Sequence, residues 1–182
     1  MSKPLETVIV GGGHRSLIYA NLSEIKPDMM KIVGVVDPND FRRRTIAERF
    51  SIPEENIFSS VDEFVKKPKF ADAVINGTMD HIHVETSLPI IKAGYDILLE
   101  KPFAVNEKEM RELVATANEY GKKIMVCFVL RYAPFYRRIK ETILSGVIGD
   151  IVNIQTVEHV SYHHMSTSHI RGKWRNEEEC HA

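Results

Sequence analysis

With 182 residues, 43% of them hydrophobic and 27% charged, the chain has an ordinary globular composition, too apolar for a disordered segment and long enough for one well-packed domain or one domain and part of a second. Its net charge of −1, with lysine and arginine scattered, excludes the basic footprint that nucleic acid or an anionic membrane surface requires. The cysteines, Cys127 and Cys180, favour a reducing compartment over a disulfide scaffold; with no signal-peptide core near Met1 and no apolar run approaching the ~20 residues of a membrane helix, a cytoplasmic protein is expected.

Strand and helix patterns alternate along the chain. Thr7 to Val10 is a continuous apolar run, as expected of a strand covered on both faces. Leu17, Ile18, Leu22 and Ile25 then fall near helical spacing. Lys31 to Val36 reads as a strand ending at Asp37, and Phe41 to Phe50 as a charged helix. Ala73 to Asn76 is a short strand, and Val84 to Ala93 a helix closed by Gly94. Asp96 to Leu99 is again a strand. Asn106 and Glu109 form a capping box at the head of a helix that runs to Tyr120 and stops at Gly121. Lys123 to Val129 is a further strand. This alternation predicts an α/β fold, a doubly wound parallel sheet.

The character changes near residues 125–133, where a domain boundary is placed: 1–130 for the first domain, 131–182 for the beginning of a second. Pro134 to Ser145 reads as a helix. Asp150 to Val160 alternates, with Ile151, Asn153, Gln155 and Val157 on one side and Val152, Ile154, Thr156 and Glu158 on the other, which predicts a strand with one polar face. Ser161 to Ala182 has no clear period. His159, His163, His164, His169, Cys180 and His181 cluster there, but their spacing matches no metal-binding pattern, so a solvated tail is expected and no metal. Trp174-Arg175 reads as an anchor over a ligand edge or as a local packing contact.

Three motifs carry chemistry. Gly11-Gly12-Gly13-His14-Arg15-Ser16 lies between the first strand and a helix, where a tight turn at Gly11 and a close backbone approach at Gly13 suit a pyrophosphate. Ser16, at the third small position, permits close helix–strand packing. Asp37 ends the next strand, 21 residues beyond Ser16, where an acid accepts hydrogen bonds from the adenosine ribose. It favours NAD, since a carboxylate repels a 2′-phosphate. Arg42, Arg43 and Arg44 read as a solvated helix face, and NADP is left open. Second, Asn76-Gly77-Thr78-Met79-Asp80-His81-Ile82-His83 follows a strand at the ligand-binding edge, where Thr78 and His81 line the nicotinamide ribose. His83 is balanced between a helix-cap or surface role and a functional one. Third, Glu100-Lys101-Pro102 puts a lysine at the carboxyl end of a central strand, suited to acid/base work beside the cofactor; alone, a lysine before a proline is unremarkable.

Taken in order with Arg131-Tyr132-Ala133-Pro134 and Gly146-Val147-Ile148-Gly149-Asp150-Ile151, these residues resemble the glucose-fructose oxidoreductase / inositol dehydrogenase / MocA family over nearly the whole chain. The resemblance implies a Rossmann domain followed by an α/β domain whose open sheet mediates dimers or tetramers, here in truncated form. It implies NAD(P)-dependent hydride transfer at a sugar- or cyclitol-like hydroxyl or carbonyl. Lys101 would be the catalytic lysine on the reacting oxygen and Glu100 a support of the nicotinamide ribose, with a cis Lys101–Pro102 bond. Arg131 and Tyr132 would approach the polyol or sugar-like substrate. Asp80 stands where the family has asparagine. The family also carries an aspartate and a histidine four residues apart as a proton relay; Glu177 and His181 have that separation, with glutamate in place of aspartate, which makes His181 the relay expected here. A non-catalytic dinucleotide-binding module or sensor, and an NAD-dependent glycosidase of the same fold, are the alternatives.

Overall fold

In the computed structural model, which describes residues 3–175, six parallel strands form one sheet in the order β3-β2-β1-β4-β5-β6. They are β1 (Leu5–Val10), β2 (Met30–Val36), β3 (Ile57–Phe58), β4 (Ala73–Asn76), β5 (Asp96–Leu99) and β6 (Ile124–Val126). The doubly wound parallel sheet read from the sequence is therefore present. Successive side chains along each strand point to opposite faces. Val8, Val10, Val74, Ile97 and Leu99 thus join one core with Phe64, Ile90, Ile91 and Leu113, while Ile9, Ile32, Val35 and Ile75 join another with Ala20, Ile46 and Ala47. Two covered faces explain why the central strands are apolar throughout.

The helices are α1 (His14–Ala20), α2 (Leu22–Ile25), α3 (Asp40–Phe50), α4 (Val61–Phe64), α5 (His83–Lys92) and α6 (Glu107–Glu119). The expected Leu17–Ile25 helix is divided at Asn21, whose side-chain oxygen accepts from Arg49 Nη2 at 2.7 Å. The expected N-cap of α6 is formed: Asn106 Oδ1 accepts from the Glu109 N–H at 2.9 Å, and the return bond comes from the Asn106 side chain, whose Nδ2 donates to Glu109 Oε1 at 2.8 Å. Strand β3 has too few residues to show a period, so no sequence pattern marks it. Strand β6 is shorter than the expected 123–129, because its one neighbour, β5, pairs with it from Ile97↔Ile124 to Leu99↔Val126 and then ends.

The chain divides into two compact units, one ending at Cys127 and the other beginning at Phe128. The second contains a short turn, Val129–Tyr132, a helix α7 (Pro134–Leu144) opened by a proline at its first position, and helical turns between Tyr162 and Arg175. The strand expected over 150–160 is not formed: residues 151–160 have no regular structure and are exposed throughout. The alternation is real, but a strand also needs a neighbour for its N–H and C=O groups, and none of the described residues provides one. No helix among the described residues is long and apolar enough to cross a membrane.

Candidate functional site

Parallel strands end on a common edge, and the strand order reverses between β1 and β4, which opens a crevice at their carboxyl ends. The glycine turn closes β1 there. Gly11 donates to Val36 O at 2.9 Å and has φ +76°, a conformation that glycine alone adopts without strain; a Cβ on it would stand 2.8 Å from Thr78 N. Ser16 is fully buried and donates to Gly11 O at 2.6 Å, and a Cβ on Gly77 would collide with its hydroxyl. The third small position of the motif thus lets α1 pack against the β4 loop. Gly13 opens α1 without a side-chain cap, and a Cβ there would meet only Gly77 O, at 3.9 Å. His14 and Arg15 are exposed on the first turn of that helix.

Asp37 is buried at the end of β2. Its Oδ1 accepts from Asn39 N–H at 2.8 Å, and its Oδ2 from Gly12 N–H at 2.8 Å and Arg42 Nη1 at 3.0 Å. One carboxylate thereby joins the glycine turn to the head of α3 and keeps acceptor capacity for a further donor. Arg42 keeps the exposure read from the sequence and Arg43 is half-buried, but both also bond back to the end of β2. Arg42 lies on Asp37, and Arg43 Nη1 donates to the carbonyls of Asp37 at 3.1 Å and Pro38 at 3.3 Å. Arg44 turns away to Glu54.

The Glu100-Lys101-Pro102 loop follows β5, with a cis bond between Lys101 and Pro102. Lys101 is exposed, whereas Glu100 is buried. Glu100 Oε1 accepts from the Tyr19 hydroxyl and lies 3.5 Å from Arg15 Nε; its Oε2 accepts from the Lys101 N–H at 2.9 Å. Burial first, and the hydrogen bond to Glu100 second, hold the Tyr19 hydroxyl well above the usual phenol range. Cys127, at the end of β6, has its thiol pushed up by burial.

On the other flank, His83 is fully buried, with Nδ1 2.6 Å from Pro102 O and Nε2 3.1 Å from Thr78 O. It is an internal connection, so the surface or cap role does not apply. Asn76, also fully buried, donates to Thr86 Oγ1 and Ser87 Oγ at 2.9 Å and accepts from the Thr78 hydroxyl at 2.9 Å. Thr78 is half-buried and His81 exposed in the same loop. Sequence reasoning missed Tyr19 and Asn76: each looks like an ordinary helix or strand residue until the fold brings it to this edge.

The structure thus brings Gly11, Gly13, His14, Arg15, Ser16, Asp37, Thr78, His81, Glu100 and Lys101 to one edge of the first unit. Arg131 and Tyr132 are exposed on the first turn of the second unit, where the Arg131 guanidinium stacks 4.6 Å over the Phe128 ring. His159, His163, His164 and His169 are exposed in that unit. The relay expected of Glu177 and His181 lies outside the described residues, as does Cys180.

The donor set fits a dinucleotide. A cradle that a Cβ at Gly11 would fill, an uncapped helix start at Gly13 and a carboxylate at the end of β2 meet in one crevice. A family model described as oxidoreductase family, NAD-binding Rossmann fold, matches residues 5–128. The trans-1,2-dihydrobenzene-1,2-diol dehydrogenase of Mus musculus is 32% identical over 130 residues, 71% of this chain and 38% of that protein. The WlbA dehydrogenase of Chromobactrium violaceum, crystallised with NADH and UDP-GlcNAcA, superposes with TM-score 0.76 at 21% identity, over 82% of this chain and 42% of that one. The scyllo-inositol dehydrogenase of Lactobacillus casei superposes with TM-score 0.75 at 22% identity, over 82% of this chain and 44% of that one. The chain spans less than half the length of the curated relatives it matches.

Proposed function

The chain belongs to the oxidoreductase family with the NAD-binding Rossmann fold, and from that premise we propose that it forms the cofactor half of a dehydrogenase acting on a secondary alcohol or ketone of a sugar- or cyclitol-like ring. The observation that carries this reading is the exposed Lys101 at the end of β5, on the same sheet edge as the glycine turn and Asp37. The names of relatives support the substrate class: a trans-1,2-dihydrobenzene-1,2-diol and an inositol each present a ring hydroxyl beside another hydroxyl.

NAD, when bound, supplies the two-electron acceptor or donor for the carbinol carbon. Gly11, Gly13 and the N–H groups that open α1 would face the pyrophosphate, and Asp37 would accept from the adenosine ribose. Thr78 and His81 border the nicotinamide ribose. Lys101 would hydrogen-bond the reacting oxygen and, as the neutral amine, take its proton while the hydride leaves the carbinol carbon for the nicotinamide and the alcohol becomes a ketone; in the reverse direction the ammonium would return it. Arg131 and Tyr132 begin the substrate side, residues from 131 onward open the second domain, and His181 is the candidate relay. With Arg42 on Asp37, a cation also stands where a 2′-phosphate would arrive, so NADP is the second cofactor of this reading.

The test is NAD-coupled turnover of cyclitols, sugars and cyclic vicinal diols by a full-length protein carrying this chain. Lys101→Ala should lower kcat/KM by about a hundredfold or more, the range for loss of a positioned acid/base. Equal turnover by the variant would remove Lys101 from the reaction.

A further inference from the structure

We propose that Tyr19 is a positioning residue: by donating to Glu100 it fixes the loop that carries Lys101 to the helix that follows the glycine turn. The proposal rests on the reading of Lys101 and the glycine turn given above.

The argument begins with the directions of the hydrogen bonds. An ionised carboxylate only accepts. At Glu100 each oxygen already has a donor: the Tyr19 hydroxyl, with Arg15 beside it, on Oε1, and the Lys101 N–H on Oε2. The side chain is only 10% exposed, so these internal partners, more than solvent, set its orientation. Glu100 thus holds the backbone of its own neighbour, and the orientation of that carboxylate determines where the Lys101 N–H, and with it the Lys101 side chain, begins.

Tyr19 supplies the fixed end. It stands in the last turn of α1, 81 residues from Glu100 in sequence. Its hydroxyl remains protonated because burial and the Glu100 carboxylate both oppose ionisation. The bond therefore keeps one direction, phenol to carboxylate, across neutral pH. Charge-assisted bonds of this kind are stronger than neutral ones. Arg15, from the first turn of the same helix, approaches the same oxygen but is 47% exposed, so solvent competes with it. The position of α1 is itself set by Ser16 against Gly11 and Gly77. Tyr19 and Glu100 thus tie the loop that carries Lys101 to the helix whose first N–H groups would receive the pyrophosphate.

The experiment is a double-mutant cycle on the 182-residue chain, with Tyr19→Phe and Glu100→Gln, read by NADH fluorescence titration and by thermal melting. Each single variant should weaken NADH binding by about tenfold, the loss expected of one hydrogen bond to a charged group. The double variant should be no weaker than Glu100→Gln alone, because Tyr19 acts through Glu100. Losses that multiply, or a Tyr19→Phe protein with a lowered melting temperature and unchanged NADH affinity, would overturn the proposal. If the wild-type chain fails to bind NADH, the reading of the site fails. The inference is then decided by ¹H–¹⁵N spectra: the Lys101 amide must move in Tyr19→Phe while that of Leu113, in the body of α6, stays, and an unmoved Lys101 amide overturns it.

Discussion

His83 and Pro102 are joined by a 2.6 Å contact between the ring Nδ1 and the proline carbonyl, with the opposite ring nitrogen 3.1 Å from Thr78 O. A fully buried imidazole therefore spans the two loops that follow β4 and β5. Replacing it with alanine removes the ring N–H donor from between the Pro102 and Thr78 carbonyls and leaves a void where the ring stood. His83→Ala should cost about 2–4 kcal/mol in urea unfolding. His83→Gln, which can still donate to one carbonyl, should recover part of that loss. Equal stability of all three proteins would remove the ring from the architecture of the site.

Gly77 and Ser16 make a reciprocal prediction. A methyl group on Gly77 would overlap the Ser16 hydroxyl, so Gly77→Ala should destabilise the chain by about 1–3 kcal/mol, as overpacking does. Adding Ser16→Gly removes the obstruction and should restore much of the stability lost. Thermal melting of the single and double variants measures this; a double variant less stable than Gly77→Ala would contradict the packing relation.

Arg42 tests cofactor choice. Its guanidinium rests on Asp37 Oδ2 at 3.0 Å and is 43% exposed, free to turn toward a 2′-phosphate. Arg42→Ala should weaken NADPH binding by about tenfold while changing NADH binding by about threefold at most. A variant that loses both cofactors equally would make Arg42 a structural partner of Asp37 only.

The alkaline limb of stability follows from three buried groups. Burial raises the Cys127 thiol above its ordinary 9.0 and raises the Tyr19 and Tyr95 hydroxyls above their ordinary 10.0. A group whose folded value is raised contributes stability that is complete below its unfolded value and is lost as pH rises toward the folded one. The melting temperature should hold from pH 7 to about 8.5 and then fall. Tyr19→Phe with Cys127→Ser should flatten that fall, and an identical slope in the variant would contradict it.

Val152, Ile154 and Val157 are 97%, 70% and 69% exposed on a segment whose alternation suits a strand that finds no partner among the described residues. Such a segment pairs readily with another copy. Sedimentation should detect association through residues 150–165, reduced by Val152→Lys with Ile154→Lys. A monomer at millimolar concentration would refute this.

The first unit was legible because its signals are local. The apolar runs of β1, β2, β4 and β5, the N-cap at Asn106 and the positive-φ glycine that follows α5, Gly94 with φ +90°, all depend on neighbours in sequence. The glycine turn and Asp37 could be read as a pair because their spacing is fixed by one βαβ unit. The connections through Tyr19, Asn76 and His83 were hidden or ambiguous, since each depends on residues brought together only by the strand order. The contact of Arg42 with Asp37 was hidden for the same reason: its position on a charged helix does not reveal that the helix begins over Asp37. Residues 150–160 show the converse, a clear period without the partner that would make it a strand.

The most direct measurement is an NADH fluorescence titration of the 182-residue chain beside its Asp37→Ala variant. Saturable binding by the chain, weakened at least about tenfold by the variant, is the predicted result, since the carboxylate joins the glycine turn to the head of α3 and is the group proposed to take the ribose. Absence of saturable binding at high micromolar NADH, or binding that Asp37→Ala leaves untouched, would contradict a dinucleotide site at the carboxyl edge of this sheet.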